Sequence, residues 1–158
     1  MSNIGINCSR WADDSEAAAI RINPTLIVGL NVDWPRLARI KAACPNMAHL
    51  WRPTLPGSGD WDNVHADADE LAGYVIATYQ QYPGLIDAVS SRNEVIHSDN
   101  LEEQLAWELT FCKRVQDAGI PYVAFSSGVG KLEREDIPKL LKIIEMAAAV
   151  GCHPYLPP

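Results

Sequence analysis

The residues with chemistry to offer in this 158-residue sequence gather where apolar, strand-forming runs give out. The run 86–91, Ile-Asp-Ala-Val-Ser-Ser, leads directly into Arg92, Asn93 and Glu94, with His97 and Asp99 close behind. A carboxylate with an amide beside it sets a titratable oxygen acid next to a neutral hydrogen-bonding group. Other runs end in the same way, in Asn7 and Ser9, Asn31 and Asp33, Arg52, Ser126 and Ser127, and finally His153 and Tyr155. In parallel α/β folds the loops at the carboxyl ends of strands carry the functional groups, so these positions define the candidate site. Helix capping and turn formation already account for Asp33, Asp99 and Ser127.

Competing chemistries fail on spacing. Ser127-Gly128-Val129-Gly130-Lys131 resembles a phosphate loop, but that loop needs glycine where Phe125 stands and Ser or Thr where Leu132 stands. His49, His97 and His153 form no His-x-His or His-Glu-x-x-His pattern for a metal, and a lone strand histidine such as His49 reads as a hydrogen-bonded core residue. No Gly-x-Ser-x-Gly elbow offers an esterase nucleophile. No cofactor and no metal are expected.

The elements that must position these residues alternate along the chain. Strand-like runs at 4–8, 25–30, 47–52, 85–94, 121–125 and 152–156 are separated by helix-period segments at about 13–21, 33–44, 67–82, 99–118 and 137–148. Asp33 is suited to cap the second helix, and Asp99, with Glu102 three residues on, the fourth. Pro53, Pro56, Gly57, Gly59 and Asp60 break regular structure in a long loop that carries Trp61. Alternation of this kind predicts one α/β domain over 1–158 built around a parallel sheet, either an open doubly wound sheet or an incomplete (β/α) barrel. A complete barrel is excluded, since eight units take about 250 residues and seldom fewer than about 200.

Composition narrows the partners. Thirteen basic against 20 acidic residues, net charge −7, with no basic run, give no footing for nucleic acid or an anionic membrane. Residues 1–11 lack the basic and apolar regions of a signal peptide, and no apolar stretch approaches a membrane span, so a soluble, cytoplasmic protein is expected. Cys8, Cys44, Cys112 and Cys152 are scattered without a C-x-x-C pair and are expected as reduced core thiols.

The segment 85–100, the following helix with Glu108 and the strand 121–127 resemble the fourth strand and next unit of the retaining glycoside hydrolases with a (β/α)8 barrel. In that superfamily the fourth strand ends in Asn-Glu. The resemblance implies that Glu94 is the general acid/base and that Asn93 hydrogen-bonds the sugar 2-hydroxyl. His153-Pro154-Tyr155 is similar to the superfamily's sixth-strand His-x-Tyr, and Arg52 to the arginine found at an early strand end. The implied fold is a partial TIM (β/α) barrel of about five βα units plus a final strand, acting on or binding an oligosaccharide or glycoside. Trp61 is the aromatic best placed to stack on a sugar ring.

A retaining enzyme needs two carboxyl groups about 5 to 5.5 Å apart. The superfamily's nucleophile ends its seventh strand, and no acidic residue here, Asp33, Asp60, Asp62 and Asp99 included, matches that position. Activity of this chain alone is therefore in doubt, and two other readings stand beside it: a module that binds carbohydrate without cleaving it, and an unrelated flavodoxin-like domain. An opened barrel also leaves strand edges and an inner apolar surface uncovered, which predicts a homo-oligomer that completes it.

Arg92 departs from the superfamily, which has an uncharged residue there. By strand alternation it shares a face with Glu94, and a nearby cation lowers a carboxyl pKa where a general acid needs it raised. Either Arg92 ties the barrel together through another acid or Glu94 is no working acid. Replacing Arg92 with Leu is expected to raise the Glu94 pKa in a carboxyl NMR titration; an unchanged titration would contradict their proximity.

Overall fold

The computed structural model describes residues 5–9, 11–57, 66–92, 98–128 and 134–153. Six strands pair side by side in chain order, every neighbour parallel: β1 (Gly5–Cys8), β2 (Leu26–Gly29), β3 (Ala48–Trp51), β4 (Ala88–Ser90), β5 (Tyr122–Gly128) and β6 (Ala149–His153). Between them run α1 (Asp13–Ile22), α2 (Trp34–Ala43), α3 (Ala68–Gln81), α4 (Leu101–Asp117) and α5 (Leu141–Met146).

Local chemistry sets most boundaries. Asp33 caps α2 as expected, its Oδ1 accepting from Arg36 N at 3.0 Å with Pro35 in the first turn. Asp67 caps α3 by accepting from Asp69 N and Glu70 N at 2.9 and 3.1 Å. At α4 the cap position falls on Asn100 rather than Asp99, which lies in the 3-10 turn Ser98–Asn100. The largest departure comes near the end. The apolar stripe over 137–148 predicts one helix, but Pro138 sits inside a 3-10 segment, Arg134–Leu140, and α5 occupies only Leu141–Met146. The last strand starts at Ala149, three residues before its expected start at 152, because pairing with β5 satisfies its backbone. Residues 154–156 of the expected strand lie outside the described residues.

The two faces of the sheet differ. Ile27, Trp51, Val89, Tyr122 and Ala124, at 0 to 2 % exposure, point to the helices, whereas Leu26, Val28, Leu50, Ala88 and Val123 on the other face are only half-buried. A doubly wound sheet buries both faces and reverses its strand order at a switch point. Strict chain order with one covered face is instead the arc of a (β/α) barrel, and it excludes the flavodoxin-like arrangement. Along the covered face α1 packs on α2, α3 on α4 and α4 on α5. Trp34 closes the gap between the two apolar clusters, stacked on Tyr82 at 4.7 Å and edge-on to Trp51 at 5.2 Å. Cys44 and Cys112 are buried and in no disulfide among the described residues, and Cys8 is half-buried. No helix among the described residues is long and apolar enough to cross a membrane.

Among the described residues the large apolar side chains that remain exposed are Ile20 and Ile22 on α1, Ile137 and Leu141 in the segment that precedes β6, and Val150 on β6 itself, from 39 to 51 % exposed.

His49 is a core residue, as its isolation in the sequence predicts. It is fully buried, and Nδ1 donates to the Leu85 carbonyl at 2.9 Å. Among the described residues Nε2 has no hydrogen-bond partner; it faces the backbone of Gly29, where an added Cβ would stand 2.6 Å away, so only glycine admits the ring there. Burial lowers the His49 pKa from 6.5 to about 4. The unfolded chain therefore takes up a proton near 6.5 that the folded chain refuses until about 4. The sign follows: this contribution is complete above 6.5 and is lost as pH falls from 6.5 toward 4. The lost stability approaches about 1.4 kcal/mol per pH unit. Urea unfolding of wild type and His49→Gln across that window should show a flatter pH dependence in the variant; parallel curves would contradict neutral burial of the imidazole.

Candidate functional site

The carboxyl ends of β2, β3 and β4 lie side by side and form the polar rim of the arc. Trp51 is in register with both Gly29 and Val89, which brings Arg52 to the rim between Leu30 and Ser90. Its backbone N donates to the Gly29 carbonyl at 3.0 Å, continuing the ladder one residue past β3, and its side chain is 9 % exposed. On its β2 side Asn31 adopts a left-handed backbone, φ 45°, a conformation that asparagine tolerates better than most residues. The Asn31 amide oxygen accepts from Thr54 Oγ1 at 2.9 Å, which pins the loop after β3 to the loop after β2. Asn31 and Thr54, together with Trp34, Trp51 and Tyr74, are among the residues that line a cavity of about 150 Å³.

On the β4 side the chain is held from behind by one face of α4. Ser91 Oγ donates to Glu108 Oε1 at 2.6 Å, and the Tyr122 hydroxyl, at the start of β5, donates to the same oxygen. Arg92 extends over Trp107, with its guanidinium carbon 3.6 Å from the ring centroid, and donates to Gln104 Oε1. Gln104, Trp107 and Glu108 are spaced to share one face of α4, so a single helix face reads two successive residues of the β4 exit. The whole group is withdrawn from water: Ser91, Arg92, Gln104 and Glu108 are 3, 5, 7 and 1 % exposed. Burial, reinforced by Glu108, raises the Tyr122 hydroxyl well above its usual pKa of 10 and the Cys112 thiol to about 11. Burial lowers the Arg92 pKa, and the Glu108 carboxylate partly offsets that.

Of the six residues singled out in the sequence, Arg52 stands at the rim next to the β4 exit. His153 ends β6, its backbone paired with Gly128, two strands away from β4. Asn93, Glu94, Trp61 and Tyr155 lie outside the described residues, as do His97, Asp60 and Asp62. Arg92 corrects the alternation argument: rather than continuing the strand pattern it turns to α4, and so serves as a tie between strand and helix. Sequence reasoning missed Thr54, Ser91 and Gln104 as participants. The polar pair Gln104 and Glu108, one turn apart beside the apolar stripe of α4, was the available signal.

A larger cavity, about 270 Å³, lies between β1 and α1 and is lined by Ile6, Trp11, Ala18, Ile22 and Ile27 among others. It is mainly apolar and belongs to the covered face at the first end of the arc, away from the β4 exit. Among the described residues no three His, Cys, Asp or Glu side chains gather as metal ligands.

Comparison with solved structures places this architecture. A family 39 glycoside hydrolase from the gut symbiont Bacteroides cellulosilyticus WH2 superposes with a TM-score of 0.64 at 15% identity, over 98% of this chain and 38% of its own. An uncharacterized B. stearothermophilus protein superposes with a TM-score of 0.59 at 9% identity, over 97% of this chain and 74% of its own. The chain thus spans well under half the length of the first of these. No protein-family model and no curated protein sequence matches the chain. At these identities the likeness concerns the fold, which is distantly similar to that of a glycoside hydrolase barrel.

Proposed function

We propose that this chain is a glycoside-hydrolase-like barrel unit that binds an oligosaccharide or glycoside across the ends of β3, β4 and β6. In this reading Glu94 is the acid/base carboxylate, Asn93 the ligand of the sugar 2-hydroxyl, and Arg52, Trp61, His153 and Tyr155 line the subsite. The observation that carries it is the β4 exit: residues 91 and 92 are fixed by buried bonds to α4 immediately before Asn93-Glu94, with Arg52 at the adjoining strand end. The barrel arc and its likeness to a family 39 glycoside hydrolase support the same assignment.

Retaining hydrolysis needs a second carboxylate about 5 to 5.5 Å from the first. The proposal for these residues is confined to ligand binding and to the acid/base carboxylate, and includes no nucleophile. The reading requires no cofactor and no nucleic-acid or membrane contact. A reducing, cytoplasmic setting suits the buried Cys44 and Cys112.

Calorimetric titration with β-linked oligosaccharides should give saturable binding that weakens about tenfold, close to the loss of one hydrogen bond to a charged group, in Glu94→Gln and in Asn93→Ala. Equal affinity in all three proteins, or none in the wild type, would refute the assignment.

A second copy is the partner proposed for the arc ends. Among the described residues β1 and β6 are the outer strands of the sheet, with Ile20 and Ile22 exposed on the helix after β1 and Val150 exposed on β6. One copy's β6 edge can therefore meet the other's β1 edge in parallel. Sedimentation should show dimers that dissociate in Val150→Lys; a strictly monomeric wild type would contradict the association.

A further inference from the structure

Two features of the β4 exit are not explained by the need for a stable core. First, α4 turns an amide and a carboxylate, Gln104 and Glu108, inward at 7 and 1 % exposure, where apolar side chains would avoid the desolvation cost. Second, both inward groups are spent on consecutive residues of one short segment. Glu108 takes the hydroxyl of Ser91, and Gln104, with the Trp107 ring, takes the guanidinium of Arg92. Successive residues of a strand point to opposite faces. Here both turn to the same helix, and β4 accordingly ends at Ser90.

We propose that this face of α4 is a positioning device for the functional pair: Glu108 through Ser91, and Gln104 with Trp107 through Arg92, set the path of the chain into Asn93 and Glu94. Glu108, Gln104 and Trp107 are thus positioning residues. The inference rests on reading Asn93-Glu94 as the sugar-binding pair. Glu108 has the central part, because the oxygen that holds Ser91 also accepts from Tyr122 and so refers the β4 exit to the start of β5. Two buried hydrogen bonds that converge on one oxygen define its place. The Cys112 thiol, one turn further along α4, is pushed up to about 11 by its burial and by this carboxylate, and so remains a neutral neighbour.

The test compares four variants by two readouts, the NMR signals of the Asn93 side-chain amide and Glu94 carboxyl, and oligosaccharide affinity. Ser91→Ala and Glu108→Leu are expected to displace both signals and weaken binding about tenfold. Glu108→Gln keeps an acceptor for Ser91 and Tyr122 and should stay within about twofold of wild type. Val115→Ala, fully buried two turns along the same helix, should lose stability without moving either signal. The proposal is overturned if Ser91→Ala and Glu108→Leu, folded by circular dichroism, leave the signals in place, or if Val115→Ala moves them as far. Should Glu108→Leu not fold, Ser91→Ala decides. A wild type that binds no oligosaccharide defeats the functional reading, while the NMR signals still judge the positioning role.

Discussion

Everything in this molecule follows from a sheet that is covered on one side only. Six parallel strands in unbroken chain order, joined by crossovers of one hand, carry all their helices to the same face. The strand-helix contacts there bury Ile27, Trp51, Val89 and Tyr122 almost completely, while Leu26, Val28 and Leu50 opposite them stay half-open. That asymmetry distinguishes a barrel arc from an open doubly wound sheet. It also aligns the strand ends in a single polar rim, so that side chains from separate βα units become neighbours by register.

Within that frame the most demanding site energetically is not on the rim but behind it. Arg92, Gln104 and Glu108 are charged or polar groups held out of water, and each needs a partner to be tolerated there. Their partners bind the exit of β4 to α4 and to β5. The rim therefore has a rigid back: Ser91 and Arg92 are fixed by α4, while Asn31 and Thr54 fix the loops on the other side of Arg52. An edge supported in this way would spend little binding energy on ordering itself if a ligand were met there.

What the residues disclosed before the structure was known divides along the range of the interaction. The cap at Asp33 is local and could be read in place. The stripe over 137–148 could not, because whether Ala149 and its followers continue a helix or pair with β5 is decided by a partner strand far away in the chain. Pro138 within that stripe was a local warning that the apolar period outweighed. Arg92 was assigned its direction by alternation, which holds only while a strand lasts; the pull of Trp107 and Gln104 is invisible until α4 is laid against β4. Glu108 stood in plain view, yet a glutamate on a helix reads as solvent-facing, and only Ser91 and Tyr122 reveal it as buried. The architecture and the order of the rim were thus legible, whereas the supports of the rim were not.

The proposed ligand lies across the rim at the ends of β3, β4 and β6. Titrating isotope-labelled protein with a β-linked oligosaccharide and mapping the backbone amide shifts measures this directly. The largest perturbations should fall at Arg52, residues 91–94, Trp61, His153 and Tyr155. Perturbations confined to residues 6–22, around the apolar cavity between β1 and α1, or none at saturating sugar, would contradict it.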